Sequence, residues 1–163
     1  MFELYENCDF EKTALAPVPS LSPVRMSKTE FYINKDYYIC FILDGKRIEI
    51  FIPAFFIMDG ASIPRFFWRI AGHPMNPMFV IAALVHDALF GKINGRVKIW
   101  SNGELLTSLY AQNFFDRKRT DRLFKYLLDA EGNSGFKVAT MYRAVRLGGW
   151  ASFRKQNNKF MEI

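Results

Sequence analysis

The stretch from Asn76 to Gly91 constrains this chain more than any other. It is apolar nearly all round, through Phe79, Val80, Ile81, Ala82, Ala83, Leu84, Val85, Ala88 and Leu89. A helix without a polar face must be central and covered on every side. Asn76 as N-cap and Pro77 at the first helical position start it, it runs to about Phe90, and Gly91 supplies the C-cap. His86 and Asp87 interrupt it near its last turns. A polar pair in such surroundings is costly unless it is partnered. The rest of the sequence must therefore supply both the cover and the partners.

Strands come first. Phe31-Tyr32-Ile33 ends at the turn cluster Asn34-Lys35-Asp36, and Tyr37 to Leu43 follows. Asp44-Gly45 then links it to Lys46 to Ile52, which is a strong hairpin signal. In the return strand Ile48, Ile50 and Ile52 alternate with Arg47, Glu49 and Phe51, so one face is buried and the other mixed. Pro53 ends the ladder because it lacks a donor. Asp59-Gly60 makes a turn, Ser62 is a candidate N-cap, and Pro64 stands at the start of a short helix carrying Phe66, Phe67 and Ile70. Gly72-His73-Pro74 stops it.

Residues 92–113 read as an excursion with hairpin character, Val97 to Trp100 and Glu104 to Thr107 around Asn102-Gly103. A helix starting near Thr120 carries Leu123, Phe124, Leu127 and Leu128 on one face. A last helix spans about 136–147, with Val138, Met141, Tyr142 and Val145 as its apolar face. The expected fold class is α+β: a small antiparallel β-sheet from the N-terminal half packed on three to four helices. Residues 1–27 form an N-terminal arm with a Pro-rich connector. Residues 28–150 form a single domain with 92–113 inserted, and 151–163 a polar C-terminal tail on the surface.

Several function classes fall away. Cys8 and Cys40 are the only two cysteines and make no CxxC, which argues against a zinc knuckle or a thioredoxin-type site. A reducing compartment is the default, with Cys40 a free core thiol. The acidic N-terminus does not look like a secretion signal. The longest apolar run, Met78 to Val85, is far too short to span a bilayer. A net charge of +6 fits a soluble protein with some excess of Lys and Arg. Arg117-Lys118-Arg119 with Arg122 and Lys125, and Arg143 with Arg146, form basic helix faces. No recognition-helix or RNA-platform motif accompanies them, so nucleic-acid binding is not favoured.

Five motifs occur in one order: Ile52-Pro53, Met58 to Arg65 (MDGASIPR), Ala82 to Phe90 (AALVHDALF), Thr120 to Phe124 (TDRLF) and Met141 to Trp150 (MYRAVRLGGW). In this set the chain resembles the phage and prophage proteins grouped as domain-of-unknown-function family 1353, over about residues 30–150. The family's usual link between the His-Asp helix and the Asp-Arg helix is shorter than 92–113. The resemblance implies a phage origin, a place in the virion or host cytoplasm, and other phage proteins as partners. It implies no activity.

The residues themselves leave two readings open. Antiparallel packing would bring Asp121, at the start of its helix, to His86, with Asp87 beside it and Asp59 joining from its turn. As a site, His86 would be general base with Asp121 its orienter, and Asp59 and Asp87 would hold Mg, Mn or Ca in a small metal-dependent hydrolase acting on a phosphodiester or the cell envelope. As scaffold, the same hydrogen bonds pin the helices together. A chain acting by protein–protein binding in a virion or its assembly would use Trp100, Trp150 and Phe160 as interface anchors. Ser62 lies in no GxSxG elbow and reads as a cap.

Overall fold

A computed structural model describes residues 2–4, 18–59, 69, 72, 76–148 and 153–162. The strands are β1 (Phe2–Leu4), β2 (Leu21–Pro23), β3 (Phe31–Ile33), β4 (Tyr37–Leu43), β5 (Lys46–Ile52), β6 (Ile57–Met58), β7 (Lys98–Ser101) and β8 (Glu104–Leu105). The helices are α1 (Val80–Phe90), α2 (Ser108–Phe114), α3 (Arg117–Ala130) and α4 (Gly135–Gly148). The class is α+β, with two antiparallel sheets. One has the order β1-β4-β5-β7-β8 and the other β2-β3-β6. The expected Ser62 cap, the Pro64–Ile70 helix, His73 and Trp150 lie outside the described residues.

The β4–β5 hairpin turns at Asp44-Gly45 with φ of 52° and 76°. Both central residues being left-handed matches the twist of the flanking strands. Asn102-Gly103 repeats this between β7 and β8, with φ of 49° and 85°. The Asn102 side chain accepts the Arg47 N–H and its own N–H donates to the Arg47 carbonyl. The excursion is therefore part of the main sheet, with β7 pairing β5 and β8 forming an edge. Helix α2, unforeseen from the sequence, follows with Thr107 as its N-cap.

One face of the sheet carries Ile39, Phe41, Leu43, Ile48, Ile50 and Ile52, all buried. Helix α1 is buried through His86, Ala88 and Phe90. It packs against α3, which presents Leu123, Phe124, Leu127 and Leu128, and α3 packs in turn against α4. The central position of α1 follows from its sequence, as its lack of a polar face required.

Four local expectations need correction. Helix α1 begins at Val80, because Asn76 instead closes a turn over residues 77–79, accepting the Met78 N–H on its side chain and the Phe79 and Val80 N–H groups on its carbonyl. Helix α3 begins at Arg117, capped by Asp116, whose side chain accepts the Arg119 N–H at 2.7 Å. Asp121 thus stands in the second turn. Gly91 is extended (φ −70°, ψ 172°) and makes no left-handed cap. Its lack of a side chain serves close approach, since a Cβ there would lie 2.5 Å from Asn158 Oδ1. Cys40 is buried in β4 but disulfide-bonded, against the free-thiol reading.

The tail is a strap rather than a loose arm. Lys92 N–H donates to the Gln156 carbonyl at 2.8 Å, and Asn158 N–H returns to Lys92 at 3.2 Å. Ile57 N–H donates to Lys159 and Met161 N–H to Phe55. The Arg154 guanidinium reaches the carbonyls of Leu89, Gly91, Gln112 and Phe115, closing the last turns of α1 and α2. Cations are favoured at these carbonyl ends.

Candidate functional site

His86 faces α3 from the buried side of α1, between the rings of Phe90 and Phe124, whose centroids lie 5.1 and 5.2 Å away. Its Nε2 lies 2.8 Å from Asp121 Oδ1. Asp121, in α3, is fully buried. Its Oδ2 accepts from Arg146 Nη1 of α4 at 2.8 Å, with Arg117 Nε at 3.8 Å. Arg117 Nη2 also donates to the Arg146 carbonyl. One carboxylate thus gathers α1, α3 and α4.

Electrostatics decide what His86 can do. Burial alone pulls its pKa down, but the hydrogen bond and charge of Asp121, aided by Asp87, outweigh it and lift the pKa to about 9. At neutral pH the ring is an imidazolium that donates to Asp121. An imidazolium cannot serve as a general base, because its proton site is filled. Its Nδ1 has no hydrogen-bond partner among the described residues and lies 3.8 Å from Asp87 Oδ1. With His86 only 2% exposed, no substrate reaches either nitrogen directly.

Asp87 points the other way, toward β6. Its Oδ2 accepts the Asp59 N–H at 2.9 Å, so Asp59 joins the cluster through its backbone. Both residues line a cleft of about 140 Å³ that also takes in Glu30, Phe90, Asn158 and Lys159. Lys159 Nζ sits 3.4 Å from Glu30. Among the described residues no three His, Cys, Asp or Glu side chains are grouped to hold a metal ion. His86 and Asp121 therefore come together, Asp87 and Asp59 come together, and Asp87 is the hinge between the pairs.

Of the expected interface aromatics, Trp100 and Phe160 are half-buried, and Trp150 lies outside the described residues. Trp100 stands within β7. Phe160 packs edge-on to Phe56 at 5.6 Å, under the Arg96 guanidinium at 3.7 Å, so it anchors the strap to the protein's own core.

A second polar cluster escaped the sequence reading. Glu131, just past α3, accepts the Ala82 N–H on Oε1 at 2.9 Å, in the first turn of α1. Its Oε2 and the Tyr37 hydroxyl are buried without hydrogen-bond partners among the described residues. Burial raises the Glu131 pKa to about 8, against the lowering effect of the Ala82 bond. Burial, then the Glu131 charge, pushes the Tyr37 pKa far above its ordinary value. The need for Glu131 appears only once α1 is seen to begin at Val80, not after Asn76: the helix then has no acid in its first turn and no side-chain N-cap, so a partner comes from elsewhere.

The family model described as Protein of unknown function (DUF1353) matches residues 37–145, well over half of the chain. The chain belongs to that family. No curated protein and no solved structure matches it.

Proposed function

From membership of this family and the closed geometry around His86, we propose that the chain acts by binding other proteins, as a component or assembly factor of a phage particle. The observation that carries this is the saturation of Asp121: His86, Arg146 and Arg117 surround a carboxylate with no exposed atom. Catalytic groups need a face turned to substrate, whereas this network is turned inward on three helices. Supporting it, Leu105, Leu109 and Tyr110 are 58%, 70% and 54% exposed within six residues of chain. They lie at the β8 edge and the first turn of α2, and clustered apolar exposure marks interaction surfaces. The disulfide at Cys40 fits a particle facing an oxidising exterior better than a lifetime in reducing cytoplasm.

Quantitative mass spectrometry of purified particles, from a strain expressing this chain, tests the reading. Co-purification is expected, with loss on Leu109→Glu combined with Tyr110→Ser. A chain absent from particles and monomeric alongside its phage-encoded neighbours would sink it.

That Asp59, Asp87 and Glu30 line one cleft supports a second reading, a small hydrolase using Mg, Mn or Ca, in which fewer than three of these side chains would hold the ion and water would complete its shell. Calorimetric titration with each ion and turnover of a model phosphodiester test it. Asp87→Asn should abolish both binding and turnover if it is right.

A further inference from the structure

The strap, residues 153–162, is held in the way a bound peptide is held. β6 is the last strand of its sheet, and the strap pairs with its outer edge: Ile57 N–H donates to the Lys159 carbonyl and Met161 N–H to Phe55. On its other side Lys92 N–H donates to the Gln156 carbonyl and Asn158 N–H returns to Lys92. Adding an extended segment to a strand edge is a recurrent mode of peptide recognition. Side chains anchor both ends. The Arg154 guanidinium reaches the carbonyls of Leu89, Gly91, Gln112 and Phe115, and Phe160 seats edge-on against Phe56. Between them Asn158 donates from Nδ2 to the Ala88 carbonyl at 3.2 Å, in space that Gly91 leaves open by having no Cβ.

Four features set this segment apart from the body that holds it. The groove residues Phe56, Leu89, Gly91 and Phe115 lie within the family match at 37–145, and the strap lies outside it. Only residues 149–152 separate α4 from the strap. Arg154 takes a φ of 60°, in the left-handed region that side chains disfavour, so strain sits where the strap begins. Leu147, in the last turn of α4, is 70% exposed.

We propose that the strap is exchangeable, and that in a dimer each copy lays its residues 153–162 into the groove of the other. A second copy is the occupant this groove selects, because it carries the same Arg154, Asn158 and Phe160, in the order and spacing that already fill it. Exchange keeps those contacts and builds no new groove. A chain arriving from the other copy need not make the strained turn at Arg154, whose long side chain still reaches its carbonyls. The crossing links also bring Leu147 of each copy beside the other. Association entropy opposes the dimer, so it forms where copies are concentrated, as in a particle. This goes beyond the proposed binding of other proteins and does not rest on Leu105, Leu109 or Tyr110.

Light scattering and native mass spectrometry of the full chain test it. Wild type should be mostly monomer when dilute and gain dimer on incubation at high concentration. Deleting Ala151 and Ser152 removes up to about 7 Å of reach. The strap should then miss its own groove and still reach a neighbour's, making the shortened chain mostly dimer where wild type is mostly monomer. Adding Arg154→Ala and Phe160→Ala to the deletion should return it to monomer. Adding Leu109→Glu and Tyr110→Ser instead should leave the dimer intact, and its loss there would reassign it to the apolar edge. Wild type that never dimerises would overturn the proposal, as would a folded shortened chain that stays monomeric or a dimer that survives loss of both anchors. If the melting curve shows that the deletion prevents folding, a mixture decides. Gly91→Phe blocks the groove and keeps the strap, whereas Arg154→Ala with Phe160→Ala keeps the groove and spoils the strap. Mixed, the two should form a heterodimer, while each alone stays monomeric; a mixture without heterodimer refutes exchange.

Discussion

Replacing Asp121 by Asn separates a scaffold from a site most cleanly. The amide keeps the shape and one acceptor but removes the charge that His86, Arg146 and Arg117 share. Breaking a buried ion pair from one side costs about 3–5 kcal/mol, because the remaining charge is left uncompensated. For a chain of this size that is about 10 °C in melting temperature. The pH dependence carries the sharper sign. The folded pKa of His86 is raised from 6.5 to about 9. Its contribution to stability is fully present below pH 6.5 and is lost as pH rises through 9, amounting to up to about 3 kcal/mol. Asp121→Asn should therefore be less stable at pH 6 and show a flatter stability profile between pH 6.5 and 9. Urea unfolding at half-unit pH steps reads both. An Asn variant within 0.5 kcal/mol of wild type at pH 6, with the same slope, would refute the charged-network argument.

Two further substitutions probe the other buried contacts. The folded pKa of Glu131 is raised from 4.5 to about 8, so the folded state retains a proton that the unfolded chain releases, and stability falls as pH rises between those values. Glu131→Gln should match wild type near pH 4 and melt higher at pH 8, since the amide keeps the bond to Ala82 and carries no charge for burial to penalise; a lower melting point at pH 8 would show that the carboxylate's attraction to the α1 N-terminus wins over burial. Gly91→Ala should cost about 1–3 kcal/mol, because its Cβ meets Asn158 Oδ1 at 2.5 Å and the Gln156 carbonyl at 3.3 Å. Limited proteolysis should then cut the strap faster than the sheet, and unchanged protection of residues 153–162 would count against that account.

The sequence made legible what depends on periodicity and local turns. Ile48, Ile50 and Ile52 had to share a face, and Asp44-Gly45 had to turn. The pairing of His86 with Asp121 followed from one polar pair on an apolar helix needing a partner. Helix starts were harder. Arg117-Lys118-Arg119 is a polar first turn, invisible to a search for buried faces, and Asp116 was the unnoticed cap. The strap was missed for a related reason. Its polar residues read as a solvated arm, yet Arg154 and Asn158 are held by hydrogen bonds to carbonyls of α1 and the turns beside it. Composition reports polarity and not where a polar group finds its partners. Glu131 belongs to the same class, since its partner is a backbone N–H at position 82, far away in sequence.

These buried polar contacts divide the labour within the fold. The family match ends at residue 145, one position before Arg146. It includes the β4–β5–β7 sheet, α1, α3 and the His86–Asp121 pair, but not the strap or β1 to β3. The matched part already holds a buried ion pair, which is weak evidence for stability in itself but fixes which helix faces which. What lies outside it covers the rim: the strap closes the last turns of α1 and α2 and pairs with β6. With the interior charges committed to one another, the groups left to act on anything else are the exposed ones. Among the described residues these include the apolar edge at Leu105 to Tyr110, the basic side chains of α3 and α4 and the carboxylates of the cleft. The proposed binding role would use those surfaces, and the pairing of His86 with Asp121 fixes the helices on which they are held.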